Sequence, residues 1–170
     1  PSAIQSLYRQ YWKELKFSDT VYEPACGNGH LVQGLQEVAP HIKVWASDIV
    51  QRDYPCDVLD FLKIQKKDSL EMDIITNPPY KYALEFCQQS IDILAKGYKV
   101  AMFLKLTFLE GQKRRQFFDK FPPKYVLVFS KRMSVAINGD VDMFKLSSAA
   151  CYAWFVWEKG VQSDTIVKWI

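Results

Sequence analysis

Short apolar runs alternate along this chain with segments of helical periodicity, and that alternation restricts the fold more than any other feature. The runs are Thr20-Val21-Tyr22, Lys43–Ile49, Asp57–Leu62, Met72–Thr76, Lys99–Leu104, Tyr125–Phe129 and Ala149–Trp157. Lys99–Leu104 is almost continuously apolar, as expected of a strand buried on both faces in a parallel sheet. Between the runs, apolar residues recur at three- and four-residue spacing. Residues 1–17 place Ile4, Leu7, Tyr8, Tyr11, Trp12 and Leu15 on one helix face, and 30–38 reads as a second helix. Tyr82–Leu94 places Ala83, Leu84, Phe86, Cys87, Ile91 and Leu94 together before Gly97, and Leu109–Phe121 ends at Pro122-Pro123. Parallel strands need crossover connections of this length, so the pattern predicts an α/β open sheet. The last two runs have no helix between them, only Lys131–Ser148 with a turn at Asn138-Gly139-Asp140, and so should pair antiparallel.

At 170 residues with 49% hydrophobic and 24% charged content, residues 1–170 form one globular domain with a real core. A net charge of +3 permits a polyanionic partner without the dense basic footprint of a dedicated nucleic-acid binder. Cys26, Cys56, Cys87 and Cys151 show no C-x-x-C spacing, and His30 and His41 are not placed beside them as ligands. No metal site is expected, and free thiols imply a reducing compartment. With no signal peptide and no apolar run of membrane-spanning length, the sequence predicts a cytoplasmic protein that does not enter a membrane.

The first run leads through Glu23-Pro24-Ala25-Cys26-Gly27-Asn28-Gly29 into the second helix. Strand, glycine loop and helix together let backbone N–H groups and a helix N-terminus approach a ligand closely. A dinucleotide fingerprint would place a third glycine at position 32, where Val32 stands, which disfavours a nicotinamide enzyme. Asp48 closes the second run 19 residues beyond Gly29, the place of a carboxylate that accepts hydrogen bonds from ribose hydroxyls.

The fourth run ends in Asn77-Pro78-Pro79-Tyr80, where open α/β sheets bind their ligands. Two prolines fix two φ angles, remove two N–H donors and stiffen the residues before them. What remains is a rigid turn with two acceptors, the Asn77 side-chain oxygen and the Pro78 carbonyl. Two acceptors aimed at one point suit an –NH2 group, and Tyr80 adds a face for a flat ring.

Asn77-Pro78-Pro79-Tyr80 resembles the catalytic motif of amino-directed, S-adenosylmethionine-dependent class I methyltransferases, above all the DNA adenine-N6 enzymes. Glu23 to Gly29 resembles the first motif of that family, and Asp60-Phe61-Leu62 its third. The resemblance covers nearly the whole chain and implies a Rossmann-like, seven-stranded, mostly parallel sheet of order 3-2-1-4-5-7-6 flanked by helices. It implies S-adenosylmethionine held by Glu23, Pro24, Ala25, Cys26, Gly27, Gly29, Asp48, Ile49, Asp60, Phe61 and Asn77. Within that set Ile49 lies against the cofactor adenine, Asp60 (Asp57 being the weaker choice) receives its amino group, and Phe61 packs on the ring. Transfer is direct: Asn77 and Pro78 accept the two amine hydrogens, Pro79 stiffens the turn and Tyr80 stacks on the target base.

DNA is the leading substrate, with RNA as the alternative. Protein glutamine methyltransferases share the tetrapeptide but generally carry an additional N-terminal helical domain. A non-catalytic binding module would not need the acceptor geometry. No separate target-recognition region is evident; only Lys131–Ser148, with Lys131, Arg132 and Lys145, is available to clamp a strand, and Lys113-Arg114-Arg115 forms a basic helix face. Such shortness fits a minimal enzyme of low sequence specificity, one relying on a specificity subunit as partner, or a catalytic domain trimmed from its recognition domain.

Overall fold

A computed structural model of the chain describes residues 1–65, 69–131, 133 and 150–170. Among these residues eight strands form one sheet: β1 (Thr20–Glu23), β2 (Lys43–Asp48), β3 (Asp57–Val58), β4 (Asp73–Thr76), β5 (Lys99–Lys105), β6 (Tyr125–Val128), β7 (Tyr152–Glu158) and β8 (Ile166–Trp169). Their order is β3-β2-β1-β4-β5-β7-β6-β8. The expected seven-strand order is present, with one further strand at its edge. β1 through β5 pair in parallel, while β7 runs antiparallel between β5 and β6. β8 lies parallel to β6.

Among the described residues four α-helices flank the sheet: α1 (Ser2–Leu15), α2 (His30–Val38), α3 (Ala83–Ile93) and α4 (Gln112–Lys120). The side chains of α1 and α2 pack with Ile75, Phe103, Leu127 and Trp154 on one sheet face. Those of α3 and α4 pack with Ile74, Met102, Val126 and Phe155 on the other. Adjacent strand residues thus alternate between two cores, which is why β5 and β7 read as unbroken apolar runs. Both buried tryptophans of β7 satisfy their indole N–H groups: Trp154 donates to the Ala3 carbonyl at 3.1 Å and Trp157 to the Phe121 carbonyl at 2.9 Å.

Several expected boundaries move for local reasons. The third run contributes only Asp57–Val58 as strand, because Asp60 caps a 3₁₀ turn at Phe61–Lys63. The fourth helix begins at Gln112 rather than Leu109, since Leu106–Leu109 is a separate 3₁₀ turn followed by Gly111 at φ 102°. β8 escapes the periodicity test because Ile166, Val167 and Trp169 are largely exposed on an edge strand. The expected turn at 138–140 lies outside the described residues, as do Arg132 and Lys145.

Candidate active site

Among the described strands all but β7 point their C-terminal ends to one edge of the sheet, and the glycine loop and the Pro-Pro turn both lie there. β1 and β4 are neighbours, with Tyr22 opposite Ile74. Their ends are joined by side chains: the Thr76 hydroxyl donates to a carboxyl oxygen of Glu23, which also accepts from the Ala25 N–H at 3.1 Å. Glu23 and Thr76 are both fully buried. Burial pushes the Glu23 carboxyl up to about 8, against the opposing pull of those two hydrogen bonds. Glu23 is thus the clamp that fixes the glycine loop to the residue immediately before Asn77.

The glycine loop is held from the other side by Asp48. Its Oδ2 accepts from the Gly27 N–H at 2.9 Å and its Oδ1 from the Val50 N–H at 3.2 Å. The Cys26 N–H donates to the Ser47 carbonyl at 3.0 Å, adding a backbone link between the loop and β2. The two glycines serve different ends. Gly27 has φ 55°, and a Cβ there would meet nothing within 4 Å, so open space lies above it. Gly29 has φ 76°, and a Cβ there would lie 2.1 Å from Cδ2 of Tyr54. Gly29 is therefore small to admit a ring of the same protein. Pro24 and Cys26 are buried beneath the loop and Ala25 is half-buried. Burial, with the neighbouring Cys56 adding to it, raises the pKa of the Cys26 thiol.

Of the expected adenine contacts, Ile49 is 62% exposed beside Asp48, and Val50 and Val58 are exposed with it. Together they leave an apolar surface exposed at a strand end. Asp60 and Phe61 have structural duties. Asp60 accepts from the Leu62 N–H at 3.1 Å and pairs with Lys63 at 3.0 Å. Phe61 is buried, with its ring centroid 5.9 Å from Tyr22 and 4.9 Å from Phe86. Asp57 is engaged by the Trp45 indole N–H at 2.7 Å.

In the Pro-Pro turn, Asn77 is exposed and Pro78 buried. The Pro79 carbonyl is used by the Tyr82 N–H at 2.9 Å. The Asn77 side chain and the Pro78 carbonyl have no hydrogen-bond partner among the described residues, leaving the two expected acceptors free. Tyr80 opens a 3₁₀ turn (Tyr80–Tyr82) and is 41% exposed. Burial, with the neighbouring Tyr152 adding to it, raises the pKa of the Tyr80 hydroxyl. The rings of Tyr80 and Tyr152 lie 6.3 Å apart, and Tyr152 in turn stacks on Phe103 at 5.1 Å. Tyr54, Thr76 and Tyr152 were not legible as site residues, because each acts through a contact distant in sequence.

No family model and no curated protein matches this chain. Solved structures do. A Listeria monocytogenes protein assigned to the class I S-adenosylmethionine-dependent methyltransferases superposes with TM-score 0.64 at 15% identity, covering 99% of this chain and 64% of its own. The methyltransferase subunit of a type I restriction-modification system from Streptococcus thermophilus gives TM-score 0.65 at 12% identity, covering 96% of this chain and 45% of its own. This is the class I methyltransferase fold. A Lactococcus lactis protein described as a hemolysin shares it too, with TM-score 0.62 at 12% identity, covering 100% of this chain and 93% of its own. The chain spans less than two thirds of the length of the first two of these structures.

Proposed function

We propose that this chain transfers a methyl group from S-adenosylmethionine to an exocyclic amino nitrogen, foremost N6 of adenine in DNA. The observation that carries the reading is the Glu23–Thr76 clamp. It fixes the glycine loop beside a turn whose two free acceptors are matched to one amine. The open space above Gly27 and the bare apolar surface of Ile49 fit a nucleoside-bearing cofactor. Asp48, already turned toward the loop, has lone pairs left for ribose hydroxyls. When bound, the cofactor supplies an electrophilic methyl group.

The chain's own residues do the rest. An aromatic amine is a weak nucleophile because its lone pair is delocalised into the ring. Asn77 and the Pro78 carbonyl, each accepting one amine hydrogen, draw the nitrogen toward a tetrahedral geometry and free that pair. This is positioning with oriented dipoles and requires no charged base, because the nitrogen releases its surplus proton to water after it has been methylated. Tyr80 presents its exposed face to the target ring, where stacking is worth about 1–3 kcal/mol. That offsets part of the few kcal/mol needed to extract a base from a duplex. The type I restriction-modification subunit that shares the fold supports DNA ahead of RNA.

Incubating the protein with labelled S-adenosylmethionine and duplex DNA, single-stranded DNA, structured RNA or total protein tests the assignment. Label recovered as N6-methyladenine in DNA is the expected product. Label in RNA or on glutamine replaces the substrate and keeps the chemistry, and cofactor binding with no transfer to any acceptor removes it.

A further inference from the structure

β5 outruns β4 at the active edge. Thr76, the last residue of β4, pairs with Met102, and β5 continues through Lys105 with β7 as its partner. Lys105 lies directly opposite Tyr152 in that antiparallel ladder. Directly opposed residues share a sheet face, and both side chains converge on Tyr80. The Lys105 ammonium stands 5.3 Å from the centroid of the Tyr80 ring, which lies 6.3 Å from the Tyr152 ring. A second ammonium, that of Lys81, lies 5.2 Å from the ring centroid of Tyr82 in the same turn. Among the described residues no carboxylate lies within ion-pair distance of Lys105 or Lys81. By contrast, Lys124 and Lys168 are each paired with a glutamate. The basic helix face is partly engaged: Arg115 bonds Asp119 at 2.8 Å, and Arg114 turns back to the Glu110 carbonyl and the Phe108 ring.

We infer that Lys105, assisted by Lys81, is a specificity-determining residue that contacts the phosphate of a nucleic-acid strand whose base stacks on Tyr80. The inference rests on the methyl-transfer reading of the same turn and names what that site recognises beside the amine. An uncompensated cation held against the stacking ring favours an acceptor with an anion one sugar away from its base. A neutral glutamine side chain in a protein offers no such anion. The ladder makes the placement rigid, since Tyr152 anchors Tyr80 from the core while Lys105 stands on the adjoining strand.

The test is fluorescence anisotropy with a labelled single-stranded adenine oligonucleotide across a salt series. The wild type is compared with Lys105→Met, which keeps the stem and drops the charge, and with Lys105→Arg. Each phosphate contact on a single strand contributes about 0.7 to the slope of log affinity against log salt. Lys105→Met should lower that slope by about 0.7 and weaken binding about fivefold at 0.1 M salt. Lys105→Arg should retain the slope, and Lys81→Met combined with Lys105→Met should roughly double the loss. S-adenosylmethionine affinity should be the same in all variants, which separates lost contact from lost fold. An unchanged slope in Lys105→Met overturns the inference and leaves the methyl-transfer reading intact. Failure of the wild type to bind the oligonucleotide, with label instead appearing on protein glutamine, overturns it together with the nucleic-acid assignment.

Discussion

Glu23 is buried, has its carboxyl pushed up to about 8, and clamps the glycine loop to Thr76. Replacing it with glutamine keeps an acceptor for the Thr76 hydroxyl and the Ala25 N–H but removes the titration. In the unfolded chain the carboxyl returns to its ordinary value of 4.5. Between these two values the folded state binds a proton that the unfolded state lacks. Stability from this group is therefore fully present below pH 4.5 and is lost as pH rises toward 8. At about 1.4 kcal/mol per pH unit, the span is worth on the order of 5 kcal/mol, of which roughly 3 kcal/mol is lost by pH 7. Urea denaturation at pH 5.5 and 8.5 measures it. The wild type should lose several kcal/mol more than Glu23→Gln between those conditions, and the variant should be the more stable protein at pH 8.5. Parallel pH profiles for the two proteins would refute a buried, proton-holding Glu23. The clamp also bears on binding, because a cationic cofactor favours the ionised carboxyl. Cofactor affinity should rise with pH through about 8 in the wild type and lose that dependence in Glu23→Gln.

Three further substitutions separate the parts of the site. Gly27→Ala should cost about 1 kcal/mol of stability from its positive φ, since its Cβ meets nothing, yet reduce S-adenosylmethionine affinity well beyond that in calorimetric titration. Gly29→Ala should be the more damaging to folding, by roughly 2–3 kcal/mol in chemical denaturation, because its Cβ meets the Tyr54 ring; Tyr54→Ala in the same chain should recover part of the loss. Asp48→Ala frees the Gly27 and Val50 N–H groups and should weaken cofactor binding at least tenfold, and an unaltered dissociation constant would contradict its ribose role.

Much of this architecture was legible because buried parallel strands announce themselves. β5 and β7 are covered on both faces, so their sequences are almost wholly apolar, and the glycine loop follows the first strand directly. The antiparallel pairing of β6 with β7 was expected because the sequence between them shows no helical periodicity. Legibility failed where structure depends on partners distant in sequence. β8 has four residues, three of them largely exposed, and its pairing with β6 is what makes it a strand. Gly29 fits a ligand-approach pattern but is small for Tyr54, a contact that no spacing rule reports. Phe61 looks in sequence like a ring for a cofactor, and the structure seats it between Tyr22 and Phe86. The exposure of Asn77 follows from local properties of a rigid Pro-Pro turn, and the catalytic role given to it and to the Pro78 carbonyl is the proposal made above.

The most direct test of the account is single-turnover methyl transfer to adenine-containing duplex DNA by the wild type and Asn77→Ala, with cofactor affinity measured on both. The account predicts N6-methyladenine from the wild type, a loss of at least 100-fold in the transfer rate of the variant, corresponding to roughly 2.7 kcal/mol, and nearly equal affinity for S-adenosylmethionine. Transfer at the wild-type rate by Asn77→Ala would contradict the claim that this turn carries the chemistry.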